Sequence, residues 1–322
     1  MKIKVIIILL ENTVRSKVNR LISLLIVKSY FETLRQYMSH RTKNGEHKRM
    51  TKQKIVLITG ASSGIGYQAA EKLSAYGFKV YGAARRIEKM SPLSSLGIIP
   101  LKMDLTDEHS IKSAVAHVIS QEGQIDILIN NAGYGSYGAI ENVPIEEAKK
   151  QFETNLFGLA TLVQLVLPHM RHQKYGRIVN ISSMAGRMTT YMGAWYHATK
   201  YALEGFSDAL RMEVKPFGID VILIEPGGIK TDWGTIAAEN LRKTSVDTPY
   251  AEHALAASKR MHQLYTSSRL TDPDIVASTI VKSVTTKRPK PRYLVGYGAK
   301  ILISLHAILP TRMFDKLIQK VV

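Results

Sequence analysis

The sequence predicts an α/β protein built on a doubly wound parallel sheet, in a single domain that begins near residue 50. Three observations carry this prediction. Short apolar runs recur from residue 55 onward and are continuous rather than alternating, as strands buried on both faces require. Stretches with helical spacing separate these runs, the pattern of a sheet lying between helix layers. A glycine-rich turn, Thr59-Gly60-Ala61-Ser62-Ser63-Gly64-Ile65-Gly66, stands between the first run and the first helical stretch.

Residues 1–49 differ from everything after them. They form a basic, amphipathic N-terminal extension with 11 Lys/Arg against 3 Asp/Glu. The apolar runs Val5–Leu10 and Leu21–Val27 are far shorter than the ~18–20 residues of a membrane span. Val18–Met38 fits a helix with Leu24, Val27, Phe31, Leu34 and Met38 on one stripe, of a kind that lies on a membrane surface. A competing reading is an over-extended gene start. Met50 runs straight into the first strand, and Gly45-Glu46 upstream could be encoded by a purine-rich ribosome-binding sequence.

The expected strands are Ile55–Ile58, Lys79–Ala83, Ile98–Met103, Ile125–Ile129, Ile178–Ile181 and Val221–Ile224, with Arg292–Gly296 as the last. Gly66–Tyr76 is the first expected helix. Residues 235–269 read as two helices carrying Leu241, Tyr250, Leu255, Met261 and Leu264, placed to cover a substrate. Residues 297–322 form an apolar tail with Lys300, Arg312, Lys316 and Lys320. Such a tail could cover the pocket, seal the sheet edge or touch a membrane surface.

Composition excludes several functions. Without cysteine there are no disulfides, thiolate metal sites or cysteine nucleophiles, and no metal site is expected. The formal net charge is +18, with a second basic cluster at Lys287-Arg288-Pro289-Lys290-Pro291-Arg292. Zinc-finger spacing, an aromatic–glycine RNA-binding signature and a continuous basic helix are all missing from the sequence, so no nucleic-acid partner is expected.

The glycine turn suits a dinucleotide. Glycines let the backbone approach a pyrophosphate, and a helix N-terminus presents free N–H groups to it. An NAD site commonly has an acid at the end of the second strand, to accept from the ribose 2′-OH. Here Ala84 holds that place, and Arg85 and Arg86 follow with the charge and fork geometry for a 2′-phosphate. The expected cofactor is therefore NADP(H), with NAD(H) as the lesser option.

Tyr196 and Lys200 stand four residues apart, on one face of a helix. A free phenol titrates near ~10, and a neighbouring ammonium favours its ionised form. That spacing gains weight from Ser183 upstream. His197, beside the tyrosine, is set aside as a base because it faces elsewhere on the helix.

Together, Thr59-Gly60-x-x-x-Gly64-x-Gly66, Asn130-Asn131-Ala132-Gly133, Ser183 and Tyr196-x-x-x-Lys200 resemble the short-chain dehydrogenase/reductase family, over about Met50 to Trp233. The resemblance implies a Rossmann-type fold and an oxidoreductase that interconverts a carbonyl and an alcohol. It makes Asn155, Ser183, Tyr196 and Lys200 the catalytic tetrad. Tyr196 would be the acid or base and Ser183 would bond the substrate oxygen. Lys200 would tune Tyr196 and hold the nicotinamide ribose, while Asn155 would hold a water leading to Lys200. The same likeness gives Gly60, Ser62, Ser63, Gly64, Ile65 and Gly66 to the phosphates, and Asp104 to the adenine. Asn131, Ala132 and Gly133 would line the cofactor, and Pro226, Gly227 and Thr231 would meet its nicotinamide end.

The pattern is similar to members acting on steroids, retinoids or other lipids, so a small hydrophobic carbonyl or alcohol is the expected substrate. A 3-oxoacyl-carrier-protein reductase-like enzyme and a non-catalytic dinucleotide sensor or scaffold are the alternatives. The resemblance also implies a homo-dimer or homo-tetramer. The expected location is the cytoplasm, with surface contact to a membrane as an option.

Overall fold

The computed structural model describes residues 53–321. The expectations for residues 1–49, the amphipathic helix and the over-extended start, lie outside the described residues. Gln53–Val322 clusters as one compact unit.

Seven parallel strands form one sheet in the order β3-β2-β1-β4-β5-β6-β7. They are β1 (Ile55–Thr59), β2 (Lys79–Ala84), β3 (Ile99–Lys102), β4 (Ile127–Asn130), β5 (Gly176–Ile181), β6 (Ile219–Pro226) and β7 (Arg292–Val295). The order reverses between β1 and β4, so a crevice opens at their carboxyl ends, where such sheets bind ligands. The interleaved helices are α1 (Gly64–Ala75), α3 (Glu108–Glu122), α4 (Ile145–Phe152), α5 (Gly158–His172) and α6 (Ala194–Val214). A four-residue turn of helix, α2 (Ser91–Ser94), precedes β3. Beyond β6 lie α7 (Asp232–Thr244), α8 (Ala251–Tyr265) and α9 (Pro273–Thr285), and after β7 come α10 (Ala299–Ile308) and α11 (Thr311–Val321).

Period-2 alternation along each strand feeds two cores. Ile55 and Leu57 join Leu128, Ile178 and Val221 in a core closed by α3, α5 and α6. Val56 and Ile58 join Ile129, Val179 and Ile222 in the opposite core, closed by α1 and α9. Continuous apolar runs are thus needed because both faces of the sheet are covered.

Several expected boundaries shift for reasons of charge. β5 begins at Gly176 and β6 ends at Pro226, taking in Arg177 and Glu225, which are buried although charged. Arg177 is accommodated by donating to the carbonyls of Ser283 and Thr286. Ile98 and Ile125 are buried but precede the strands they were expected to open. Asp126 explains the later start of β4: its carboxylate accepts from the Ile55 amide at 2.8 Å, anchoring the entry to the strand.

The segment after β6 forms the two helices expected, α7 and α8. Leu241 and Met261 are buried in their mutual packing, whereas Leu255 is exposed. In the tail, Phe314 and Ile318 of α11 bury themselves against Met188, in the loop after β5. The tail therefore docks beside the segment that carries Ser183.

Candidate active site

The glycine turn fits its proposed ligand. Gly60 and Gly64 have φ of +69° and +55°, a region costly for any residue with a Cβ. A Cβ on Gly66 would overlap Gly60 O and Asn131 Nδ2, so only glycine lets α1 start this close to the turn. Ser63, the residue before α1, makes no side-chain capping bond, which leaves the first-turn amides available to an anion.

The end of β4 is sewn to this turn. Asn131 Nδ2 donates to Thr59 O at 3.0 Å and Gly60 O at 3.3 Å. The amides of Asn131 and Ala132 both donate to Thr59 Oγ1, at 3.1 and 3.0 Å. Thr59 opens the glycine motif but was given no role from the sequence, although its place at the end of β1 makes its hydroxyl the natural acceptor. Across the crevice, Thr231 Cγ2 lies 3.4 Å from where a Cβ on Gly64 would stand. The loop from Pro226 to Thr231 thus reaches back to the phosphate turn.

Arg85 and Arg86 are exposed just past β2, beside the buried Ala84. Asp104 follows β3, and its Oδ1 accepts from the amide and hydroxyl of Thr106 at 3.0 and 2.9 Å. One carboxylate oxygen is therefore engaged in holding its own turn.

The tetrad positions converge. Tyr196 and Lys200, each 7% exposed, lie on α6, with the Lys200 ammonium 5.9 Å from the centre of the Tyr196 ring. Ser183 follows β5, its hydroxyl directed to Pro226 O at 3.4 Å and close enough to the Tyr196 phenol to favour its ionised form. A π-helical turn, Glu153–Phe157, interrupts the helix between α4 and α5 and holds Asn155 at its centre. Asn155 Oδ1 accepts from the Tyr134 amide at 3.1 Å. Its Nδ2 donates to Tyr134 O at 2.9 Å and to Thr199 Oγ1 at 3.1 Å. Both amide hydrogens are thereby engaged, so a water reaching Lys200 would bond the second lone pair of Oδ1 or the main-chain carbonyl.

An interior ladder sets the pose of α6. Asn130 Nδ2 donates to Asn180 Oδ1 at 2.8 Å, and Asn180 Nδ2 donates to Ser207 Oγ at 2.9 Å. The ladder joins β4, β5 and the helix bearing Tyr196. Asn180 and Ser207 went unnoticed in the sequence because neither belongs to a local motif.

The electrostatics differ from expectation in one respect. Burial raises the Tyr196 phenol to about 12, and nearby Ser183 only partly offsets this. Lys200 is not the lowering influence expected of it: desolvation brings the ammonium itself down to about 8, with Glu204 acting the other way. Two buried partners each disfavour their charged form, and here that outweighs their attraction. Aromatic side chains supply much of the burial. Trp233 packs on Tyr196 at 4.9 Å between ring centres, Tyr137 at 5.9 Å, and Tyr265 backs Trp233 at 6.0 Å.

A parallel sheet that switches direction at a glycine turn, with a tyrosine, lysine and serine gathered beside it, defines a dinucleotide-dependent oxidoreductase. The family described as short chain dehydrogenase matches residues 54–241. The chain is 39% identical over 268 residues to a Helicobacter pylori protein named "probable short-chain type dehydrogenase/reductase", covering 83% of this chain and 97% of that one. It is 38% identical over 252 residues to 3-ketodihydrosphingosine reductase of Bacteroides thetaiotaomicron, covering 78% and 90%. Identity is 34% over 278 residues to the NADPH-dependent 3-dehydrocapnine reductase of Ornithobacterium rhinotracheale, covering 83% and 96%. A solved short-chain dehydrogenase from Streptomyces avermitilis superposes with a TM-score of 0.69 at 32% identity, covering 79% of this chain and 92% of that one. The chain belongs to the short-chain dehydrogenase/reductase family, as an oxidoreductase acting on CH–OH groups.

Proposed function

We propose that the protein is an NADPH-dependent reductase of ketones carried on long hydrophobic molecules. The observation that carries this reading is the apolar surrounding of Tyr196: Tyr137, Met192 and Met261 share its buried cluster, with Tyr191, Trp233 and Tyr265 packed against it. Such surroundings favour a hydrophobic substrate beside the phenol. The two reductases named for 3-ketodihydrosphingosine and 3-dehydrocapnine support reduction as the direction and a lipid-like ketone as the substrate.

The nicotinamide cofactor, when bound, supplies the hydride. Gly60, Ser62, Ser63, Gly64, Ile65 and Gly66 would hold its pyrophosphate, and Arg85 and Arg86 its 2′-phosphate. Asp104, Asn131, Ala132, Gly133, Pro226, Gly227 and Thr231 would line the remainder. Tyr196 gives its phenolic proton to the developing alkoxide, as general acid. A phenol kept neutral by burial holds that proton at neutral pH. Ser183 donates to the same oxygen and steadies its charge. Lys200, already bound to Ile181 O at 2.9 Å, has two further N–H groups for the ribose and for charge forming on Tyr196. Asn155 keeps the Gly133–Tyr134 backbone in place beside it.

A membrane surface as the source of such substrates has support in the tail. Ile301, Ile308 and Met313 are exposed there, close in sequence to Lys300, Arg312 and Lys316. No helix among the described residues is long and apolar enough to cross a membrane.

The test is NADPH oxidation with a panel of long-chain, steroid and retinoid ketones and 3-oxoacyl thioesters. Turnover on a long-chain ketone, lost by about 10²–10⁴-fold in Tyr196→Phe, is expected. Activity confined to thioesters would favour the acyl-carrier-protein alternative. Unchanged activity in Tyr196→Phe would end the catalytic reading.

A further inference from the structure

His197 follows Tyr196, is 2% exposed, and takes no part in the chemistry above. Its ring points towards the loop that carries Ser183. Nε2 lies 3.0 Å from the amide nitrogen of Thr190, a group that can only donate. Nε2 is therefore the unprotonated nitrogen, and the proton sits on Nδ1. Nδ1 then donates to Ala185 O at 3.0 Å. Burial holds the imidazole below its ordinary pKa, in keeping with a neutral ring.

Ala185 is tied at both ends. Its carbonyl accepts the hydrogen bond from His197 Nδ1–H, and its own amide donates to Ser183 Oγ at 3.1 Å. That bond occupies one lone pair of Ser183 Oγ, while its hydrogen donates to Pro226 O at 3.4 Å, a long bond that a substrate oxygen can replace. On the other side, the Thr190 hydroxyl lies 2.8 Å from Nε2, and the imidazole packs edge-on to Tyr137, whose ring packs on Tyr196. The imidazole fits a tight slot: a Cβ on Gly193 would stand 2.8 Å from His197 Cδ2 and 2.7 Å from Tyr137 Cε1. An apolar residue of similar size would fill the slot but leave the Thr190 amide and the Ala185 carbonyl unpaired.

We infer that His197 is a positioning residue that acts through Ala185 to aim the Ser183 hydroxyl at the substrate oxygen. The inference rests on the proposed reading of Ser183 and Tyr196. Filling the slot would need only volume, whereas aiming Ser183 needs the Nδ1 donor, and two isosteres separate these. Asn at 197 places an amide N–H near the position of Nδ1, while Gln reaches towards Nε2 and lacks that donor.

The experiment measures steady-state turnover of a long-chain ketone with NADPH, alongside NADPH affinity and thermal unfolding, in His197→Asn, His197→Gln, His197→Leu and Tyr196→Phe. His197→Leu is expected to lose about tenfold or more in kcat, with the NADPH Kd within about twofold. His197→Asn is expected to restore most of that loss, and His197→Gln little of it. Should the leucine variant not fold, the Asn–Gln difference in kcat decides alone. Equal kcat in the Asn and Gln variants, or wild-type kcat in the leucine variant, overturns the role of His197. If Tyr196→Phe is inactive in the same assay, the proposed function survives that outcome. An active Tyr196→Phe overturns both.

Discussion

Lys200 donates a 2.9 Å hydrogen bond to the main-chain oxygen of Ile181, the last residue of β5. The ammonium is thus pinned to the sheet at the strand end from which Ser183 departs. It is also nearly out of water, and desolvation brings its pKa from 10.5 to about 8.

That shift makes Lys200 a destabilising group in the cofactor-free protein. Between pH 8 and 10.5 the folded chain binds fewer protons here than the unfolded chain, so this contribution to stability improves as pH rises. The cost is fully present below about pH 8 and gone above about pH 10.5. Lys200→Met should be relatively most stable at neutral pH and lose about 3–4 kcal/mol of that relative advantage across the window. The lost bond to Ile181 offsets it by roughly 1 kcal/mol at every pH. Urea unfolding at several pH values checks this; a difference that does not change with pH would contradict it.

Gly66→Ala should damage both fold and cofactor seat. The added methyl overlaps Gly60 O and Asn131 Nδ2, which are fixed by the turn and by the bonds to Thr59. A loss of about 1–3 kcal/mol in stability is expected from overpacking. NADPH should bind at least about tenfold more weakly, because the first-turn amides of α1 move away from the pyrophosphate. Thermal denaturation and a fluorescence titration measure the two effects; an unchanged NADPH Kd would show that the turn does not seat the cofactor.

Arg85→Ala should separate the two dinucleotides. If Arg85 pairs with the 2′-phosphate, NADPH affinity falls about tenfold or more while NADH affinity stays within about twofold. Calorimetric titration with both cofactors reads this directly. Equal weakening would remove Arg85 from the phosphate site.

Arg292 joins β7 to the back of α6. Its guanidinium donates to Glu204 at 3.0 and 3.1 Å, to Asp208 at 2.7 Å, and lies 3.0 Å from Glu225 Oε1. Burial already pushes the Glu225 carboxyl above its ordinary pKa, with Glu204 adding to the rise. Arg292→Met would leave the buried Glu204 without its cation, while Arg187 still faces Glu225 and Arg211 still pairs with Asp208, so a loss of about 3 kcal/mol at neutral pH is expected. The loss should shrink towards about pH 5, as a carboxyl whose pKa is raised further takes up a proton. Urea midpoints at the two pH values test this. A loss equal at both would mean that the acids are relieved in another way.

What the sequence made legible follows from how local each signal is. The glycine turn, Tyr196 with Lys200 and the apolar runs are each contained within a few residues, and the structure places them on the expected elements. The Asn130–Asn180–Ser207 ladder and the bond from Thr190 to His197 depend on elements meeting in space, which no local pattern announces. The expected strands Ile178–Ile181 and Val221–Ile224 are apolar runs alone, and the observed strands extend past them to take in Arg177 and Glu225. The carbonyls of Ser283 and Thr286 with Asp220 accommodate Arg177, and Arg187 and Arg292 accommodate Glu225, all from distant parts of the chain. The electrostatic sign at Tyr196 also needed the structure, since proximity to Lys200 is visible in the spacing but the loss of water around both is not.

The π-helical turn at Glu153–Phe157 has a bearing on how the enzyme can change over time. A wider turn inserts one residue into a continuous helix and advances everything after it by about 100°. Before the turn, Ala148 and Gln151 face inward near the site; after it, Leu159, Leu162, Val163 and Val166 face the sheet. The turn therefore works as a phase adapter between two surfaces that one regular helix could not serve together. Deleting a single residue there would put either Asn155 or the sheet-facing side of α5 out of register. The residue count across this turn is thus held by two separate demands at once.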